Sequence, residues 1–164
     1  MIQRIQSLYL LISAVATSLV LFLPLYVTEI GGSTLTVDVM GGKLVENEGG
    51  TLEETGNIYV LILTLACVAL SIGTIFLYKN RPTQMKLARF VGLLNTGLLV
   101  SIMFFAVDSA LAMSSVTSLL ESTEQQGGYQ PYAFLPIIGM VLGLLAGRAI
   151  LKDEALVRAS SRFR

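Results

Sequence analysis

The chain contains no histidine and no tryptophan, and it has only one cysteine and four prolines. Without histidine it lacks the commonest general base, the commonest transition-metal ligand and every histidine-dependent triad. Its single thiol, Cys67, forms no disulfide within the chain and says nothing about redox compartment. Charge is also scarce. Only 13% of the 164 residues are Asp, Glu, Lys or Arg, against roughly 25% in soluble domains. Hydrophobic residues make up 54% of the chain, and its mean hydropathy is +0.73. There is no G-x-S-x-G, no phosphate-cradling glycine loop and no cluster of metal ligands, and no positioned base accompanies the serines and threonines. The composition indicates a membrane protein with no catalytic residue, no cofactor, no metal and no nucleic-acid partner.

Four apolar runs organise the sequence, at about 8–27, 58–78, 90–112 and 132–151. Each has close to the 20 residues that cross a bilayer at about 1.5 Å per residue. The expected fold is an all-α membrane protein, a four-transmembrane-helix bundle with a small β-hairpin in its first outer loop, forming a single domain. In the first run the small residues Ala14-Val15-Ala16 fall mid-run and Leu19–Tyr26 continue apolar beyond them. It therefore reads as a retained span and not as a cleaved signal. In the outer loop 28–57, Thr34, Thr36 and Asp38 alternate with Leu35, Val37 and Val39, the period of a half-buried strand. Gly41-Gly42 suits a tight turn, with Lys43–Glu48 as the return strand. A short link, 79–89, joins the second and third spans, with Asn80 and Pro82 suited to a helix start. Helical spacing of Leu111, Val116, Leu119 and Leu120 extends the third helix into the loop 113–131, where Gly127-Gly128 would end it. A tail, 152–164, closes the chain.

Charge decides orientation. The link holds Lys79, Arg81, Lys86 and Arg89 with no acid. If both termini lie on its side, Arg4, Arg148, Lys152, Arg158, Arg162 and Arg164 join it, which is 10 of the 11 basic residues, leaving only Lys43 opposite. Glu29, Asp38, Glu46, Glu48, Glu53, Glu54, Glu121 and Glu124 fall on the other side. The positive-inside rule then puts both termini in the cytoplasm.

Three groups of residues are functional candidates. Gly139, Gly143 and Gly147 form two overlapping G-x-x-x-G units, a close-packing stripe either for the chain's own helices or for a second copy. Asp108, Asn95 and Ser101 could line a polar transport path. The alternative is a hydrated Asp108 at the outer surface, with Asn95 and Ser101 bonding between helices at about 0.6 kcal/mol each. Arg81, Lys86, Arg89, Lys152, Arg158 and Arg162 could dock a cytoplasmic partner or lipid headgroups, or simply fix topology.

Three stretches carry a resemblance: the opening Met1-Ile2-Gln3-Arg4-Ile5-Gln6-Ser7-Leu8-Tyr9-Leu10-Leu11, the link Asn80-Arg81-Pro82-Thr83-Gln84-Met85-Lys86-Leu87, and the closing Arg148–Arg158. They resemble a family of small four-span membrane proteins of Bacteroidetes whose function is unknown. That resemblance implies an inner-membrane location and transfers no catalytic residue. The expected role is a non-enzymatic accessory or scaffold subunit of an inner-membrane assembly. Its expected partners are membrane lipids and either another membrane protein or a second copy of the chain. The alternatives are a small transport or channel component using Asp108, and a lipid-binding or envelope-sensing protein.

Overall fold

The computed structural model of the chain describes residues 3–46, 50–120 and 126–161. The first helix, α1 (Gln3–Leu19), is followed by four strands, β1 (Tyr26–Ile30), β2 (Ser33–Val37), β3 (Gly41–Glu46) and β4 (Thr51–Gly56). Next come α2 (Ile58–Phe76), a 3-10 turn (Leu77–Lys79), α3 (Arg81–Ser101), a π-turn (Ile102–Ala106), α4 (Val107–Leu111) and α5 (Ser114–Leu120). A fifth strand, β5 (Gln126–Tyr129), and a 3-10 turn (Pro131–Phe134) lead into α6 (Leu135–Ser161).

The all-α expectation is overturned. The five strands make one antiparallel sheet in the order β4-β3-β2-β1-β5, so the outer element is a meander closed by a distant strand, not a hairpin. Among the described residues three helices, not four, are long and apolar enough to cross a membrane: Ile58–Phe76, Arg81–Leu111 and Pro131–Asp153. The run at 8–27 is divided because α1 tightens at its end. The N–H groups of Val20, Leu21 and Phe22 donate to carbonyls three residues back. Pro24, which has no donor, then follows, and Tyr26 and Val27 pair with β2 and β5 instead of extending the helix.

Several boundaries move for local reasons. Gly31 and Gly32, at φ 57° and 83°, form the two-residue turn between β1 and β2. The next turn lies at Asp38-Val39-Met40, where the Asp38 carboxylate accepts the N–H groups of Met40 (2.7 Å) and Gly41 (2.9 Å). Gly41 and Gly42 instead open β3, and a Cβ on Gly42 would lie 2.6 Å from that of Ala110, so β3 can approach α4 only with glycine there. Gly127-Gly128 does not stop a helix but pairs with Thr28 and Val27. The return strand ends at Glu46, and Glu48, Glu121 and Glu124 lie outside the described residues.

The basic link is mostly helix. Pro82 sits in the first turn of α3, while the Asn80 side chain makes no capping bond. The third helix does not run unbroken into the loop: α4 stops at Leu111, a break follows at Ala112–Met113, and α5 starts anew at Ser114. The expected tail continues α6 through Ser161 because Lys152, Asp153, Glu154, Ala155 and Leu156 interpose no helix breaker.

Two apolar clusters hold the molecule. Under the sheet, Ile30, Leu35, Val37, Val39 and Leu44 pack on Val60, Leu98, Ile102, Ala106, Ala110 and Val116. At the other end, Leu10, Ala88, Ala146 and Ile150 form the second cluster. Because α1 enters the sheet and α2 leaves it, and because the rod from α3 to α4 returns to it before α6 departs, these helices alternate in direction. The sheet therefore sits at one end, and the α2–α3 turn and the C-terminal part of α6 at the other, where Arg81 pairs with Asp153 at 3.2 Å.

Candidate functional site

The tightest helix contact is a seam of small and polar residues where α6 meets α3 and α1. At each glycine of α6 a side chain would collide with its neighbours. A Cβ on Gly139 would overlap the Asn95 carboxamide oxygen and lie 2.9 Å from Thr17 Oγ1. One on Gly143 would lie 2.8 Å from the Gly92 nitrogen and 3.1 Å from the Ala88 oxygen, and one on Gly147 3.1 Å from Arg89 Cγ. The stripe is thus occupied within the chain, with glycine facing glycine at Gly143 and Gly92.

Asn95 lies at the centre of this seam, fully buried. Its Nδ2 donates to the Val91 carbonyl at 2.9 Å, and its Oδ1 accepts from Thr17 Oγ1 at 2.9 Å. Thr17 also lies 2.9 Å from the Ser13 carbonyl, so its one hydroxyl proton is shared. Ser13 Oγ donates to the Gly139 carbonyl at 3.2 Å. Asn95 and Gly139 therefore belong to one buried network. Ser101 lies on the buried face of α3, six residues and about 9 Å further along. Asp108 is separate: it stands exposed in the first turn of α4, at the sheet end. Its charge reaches Tyr129 on β5, whose phenol pKa is raised first by burial and then by Asp108 and Tyr26.

The sheet is locked to the helices by residues the sequence reading passed over. In a π-turn the bonding pattern shifts by one residue, so a carbonyl needs a new partner. The Ala106 carbonyl accepts from Asn57 Nδ2 at 3.2 Å and Ser109 Oγ at 2.9 Å. Asn57 Oδ1 in turn accepts from Ser109 Oγ at 2.8 Å, and the Asn57 N–H donates to the Met40 carbonyl. Asn57, fully buried, thus ties the β2–β3 turn, the start of α2 and the π-turn together. Its signal in the sequence is slight, a lone amide immediately before an apolar run. Glu53 on β4 binds the start of α5, accepting the Ser115 N–H at 2.9 Å. Hydrogen bonds from Ser115 and Ser114 hold the half-buried Glu53 carboxyl below its ordinary pKa.

At the opposite end the cations spread over several elements. Arg81 is half-buried and paired with Asp153, whereas Lys86, Arg89 and Lys152 are exposed. Arg158 falls on the last turns of α6, and Arg162 lies outside the described residues. Among the described residues no three metal-ligating side chains come together. The buried network offers neutral amides and hydroxyls engaged with one another or with backbone, an arrangement that fastens helices.

Residues 2–163 match the family described as Domain of unknown function (DUF4293). The chain belongs to that family. No curated protein matches it. The DUF4293 match spans the sheet as well as the helices, so the family is defined over the whole of this architecture.

Proposed function

We propose that this DUF4293 chain is a non-enzymatic integral protein of the bacterial inner membrane, acting as an accessory or scaffold subunit of a larger membrane assembly. One observation carries the reading. The sheet, with most of the described carboxylates, occupies one end of the molecule, the described cations other than Lys43 occupy the other, and long apolar helix faces lie uncovered between them. In the 18-residue apolar stretch of each of the three long helices only 28%, 39% and 33% of the residues are buried within the chain. The least covered, α2, exposes Ile62, Leu65, Ile72 and Phe76. Water does not support such faces, so lipid or another membrane protein covers them. α1 packs beside α2 and α6, which supports a reading with Gln3 and Ser161, the first and last described residues, on the cationic side. The positive-inside rule makes that side the cytoplasm.

A scaffold role suits the joint at Asn57, which couples sheet and helices through neutral hydrogen-bonding groups. A transport role would draw on Asp108, but Asp108 stands at the sheet end, and Asn95 spends both ends of its amide inside the seam. The test is a photo-crosslinking residue placed at Ile62 or Leu65 in native membranes, together with a compartment reporter fused after Arg164. The expected result is a discrete protein adduct and a cytoplasmic reporter signal. Adducts to lipid alone would overturn the accessory role, and a periplasmic reporter would overturn the orientation.

A further inference from the structure

At the cationic end a groove of about 260 Å³ separates the first turns of α1 from the end of α6. Ile5 and Tyr9 form one wall, Ala149 and Leu156 the other, and Lys152 and Asp153 stand at its edge. The two charges differ in their engagement. Asp153 is held by Arg81 at 3.2 Å, while among the described residues Lys152 pairs with no carboxylate.

We propose that this groove binds one anionic phospholipid from the membrane leaflet at the cationic end. Lys152 meets the phosphate at the cationic rim, and an acyl chain runs from there toward the bilayer interior over Tyr9 and Ala149. The occupant follows from charge. The sequence places 10 of 11 basic residues at this end and only Asp153 and Glu154 as acids there. A groove with apolar walls and a cationic rim at the depth of the headgroups is complementary to a lipid bearing net negative charge. The assignment rests on the membrane orientation proposed above and adds a specific ligand to it.

The experiment uses the full chain, reconstituted with equal phosphatidylglycerol and phosphatidylcholine, extracted in mild detergent and examined by native mass spectrometry. One phosphatidylglycerol per chain should be retained in preference to phosphatidylcholine. Lys152→Gln should lower that preference about fivefold, the effect of one lysine near a charged surface, while Lys152→Arg keeps it. Lys43→Gln, at the sheet end, should change nothing. Lys152 is exposed, so its neutralisation leaves the fold intact, and a melting curve verifies that. Equal retention of the two lipids, or a preference that survives Lys152→Gln, overturns the groove assignment. Failure of the chain to float with vesicles, or a periplasmic C-terminal reporter, would instead strike the membrane reading, so the two failures are separable.

Discussion

Two glycine-to-alanine substitutions, Gly143→Ala on α6 and Gly97→Ala on α3, should move stability in opposite directions. Both remove a flexible residue from a helix interior, which favours the folded state by up to about 1 kcal/mol. They differ in what the new methyl meets. At Gly97 nothing lies within 4 Å, so the gain stands alone. At Gly143 the methyl would lie 2.8 Å from the Gly92 nitrogen and 3.1 Å from the Ala88 oxygen, both backbone atoms. Carbon contacts are comfortable at about 3.5–4.0 Å, so α6 must withdraw from α3 by most of an ångström. Overpacking of this kind costs about 1–3 kcal/mol, which exceeds or cancels the propensity gain and loosens the Asn95 network beside it. A difference of about 2 kcal/mol between the variants corresponds to about 4–8 °C in Tm for a chain of this size. With no tryptophan and six tyrosines, tyrosine fluorescence in mild detergent follows the transition. If Gly143→Ala melts at or above Gly97→Ala, the glycine stripe is not the contact between α6 and α3.

Asn57→Leu should cost about 1–3 kcal/mol, because the buried Ala106 carbonyl and the Ser109 hydroxyl each lose the carboxamide as a partner while the backbone bond to Met40 is kept; a melting temperature equal to wild type would remove the Asn57 side chain as the link. A Thr17→Val and Asn95→Leu double-mutant cycle should give a coupling near 0.6 kcal/mol, the usual worth of a hydrogen bond between membrane helices, and a value of zero would mean that the two side chains act independently. For Glu53, the folded carboxyl has a lowered pKa, so its contribution is present above the ordinary glutamate value and disappears as the pH falls below it toward the lowered one. Hydrogen exchange in α5, corrected for intrinsic rates, should therefore rise across that acid range, and Glu53→Gln should show the loosened α5 already at neutral pH. Protection in Glu53→Gln that matches wild type at neutral pH would refute this account.

The long apolar runs made the helices legible, because twenty consecutive apolar residues have few alternatives to a helix. The glycine stripe was legible as a packing surface for the same reason, since its spacing returns to one side of α6 every turn. The sheet was only partly legible. Leu35 and Val37 alternate with threonines and gave β2 away, but Tyr26 and Val27 looked like the end of an apolar run, and only Pro24 marks the division. β4 reads Thr51-Leu52-Glu53-Glu54-Thr55-Gly56, with no buried face to impose alternation. β5 was invisible because its pairing with β1 joins residues about 100 positions apart, and Gly127-Gly128 looks locally like a helix stop. Asn57 escaped notice because its value depends on a π-turn that forms some fifty residues later.

The position of β5 beside β1 has a consequence for biosynthesis. At about 5–20 residues per second, some 5–20 s separate the emergence of Tyr26 from that of its neighbour Tyr129. During that interval the outer edge of β1 is bare, and two long helices must be made before the missing strand arrives to cover it. A ribosome stalled after α4 would present a nascent chain whose meander has one open flank, a natural handle for a chaperone.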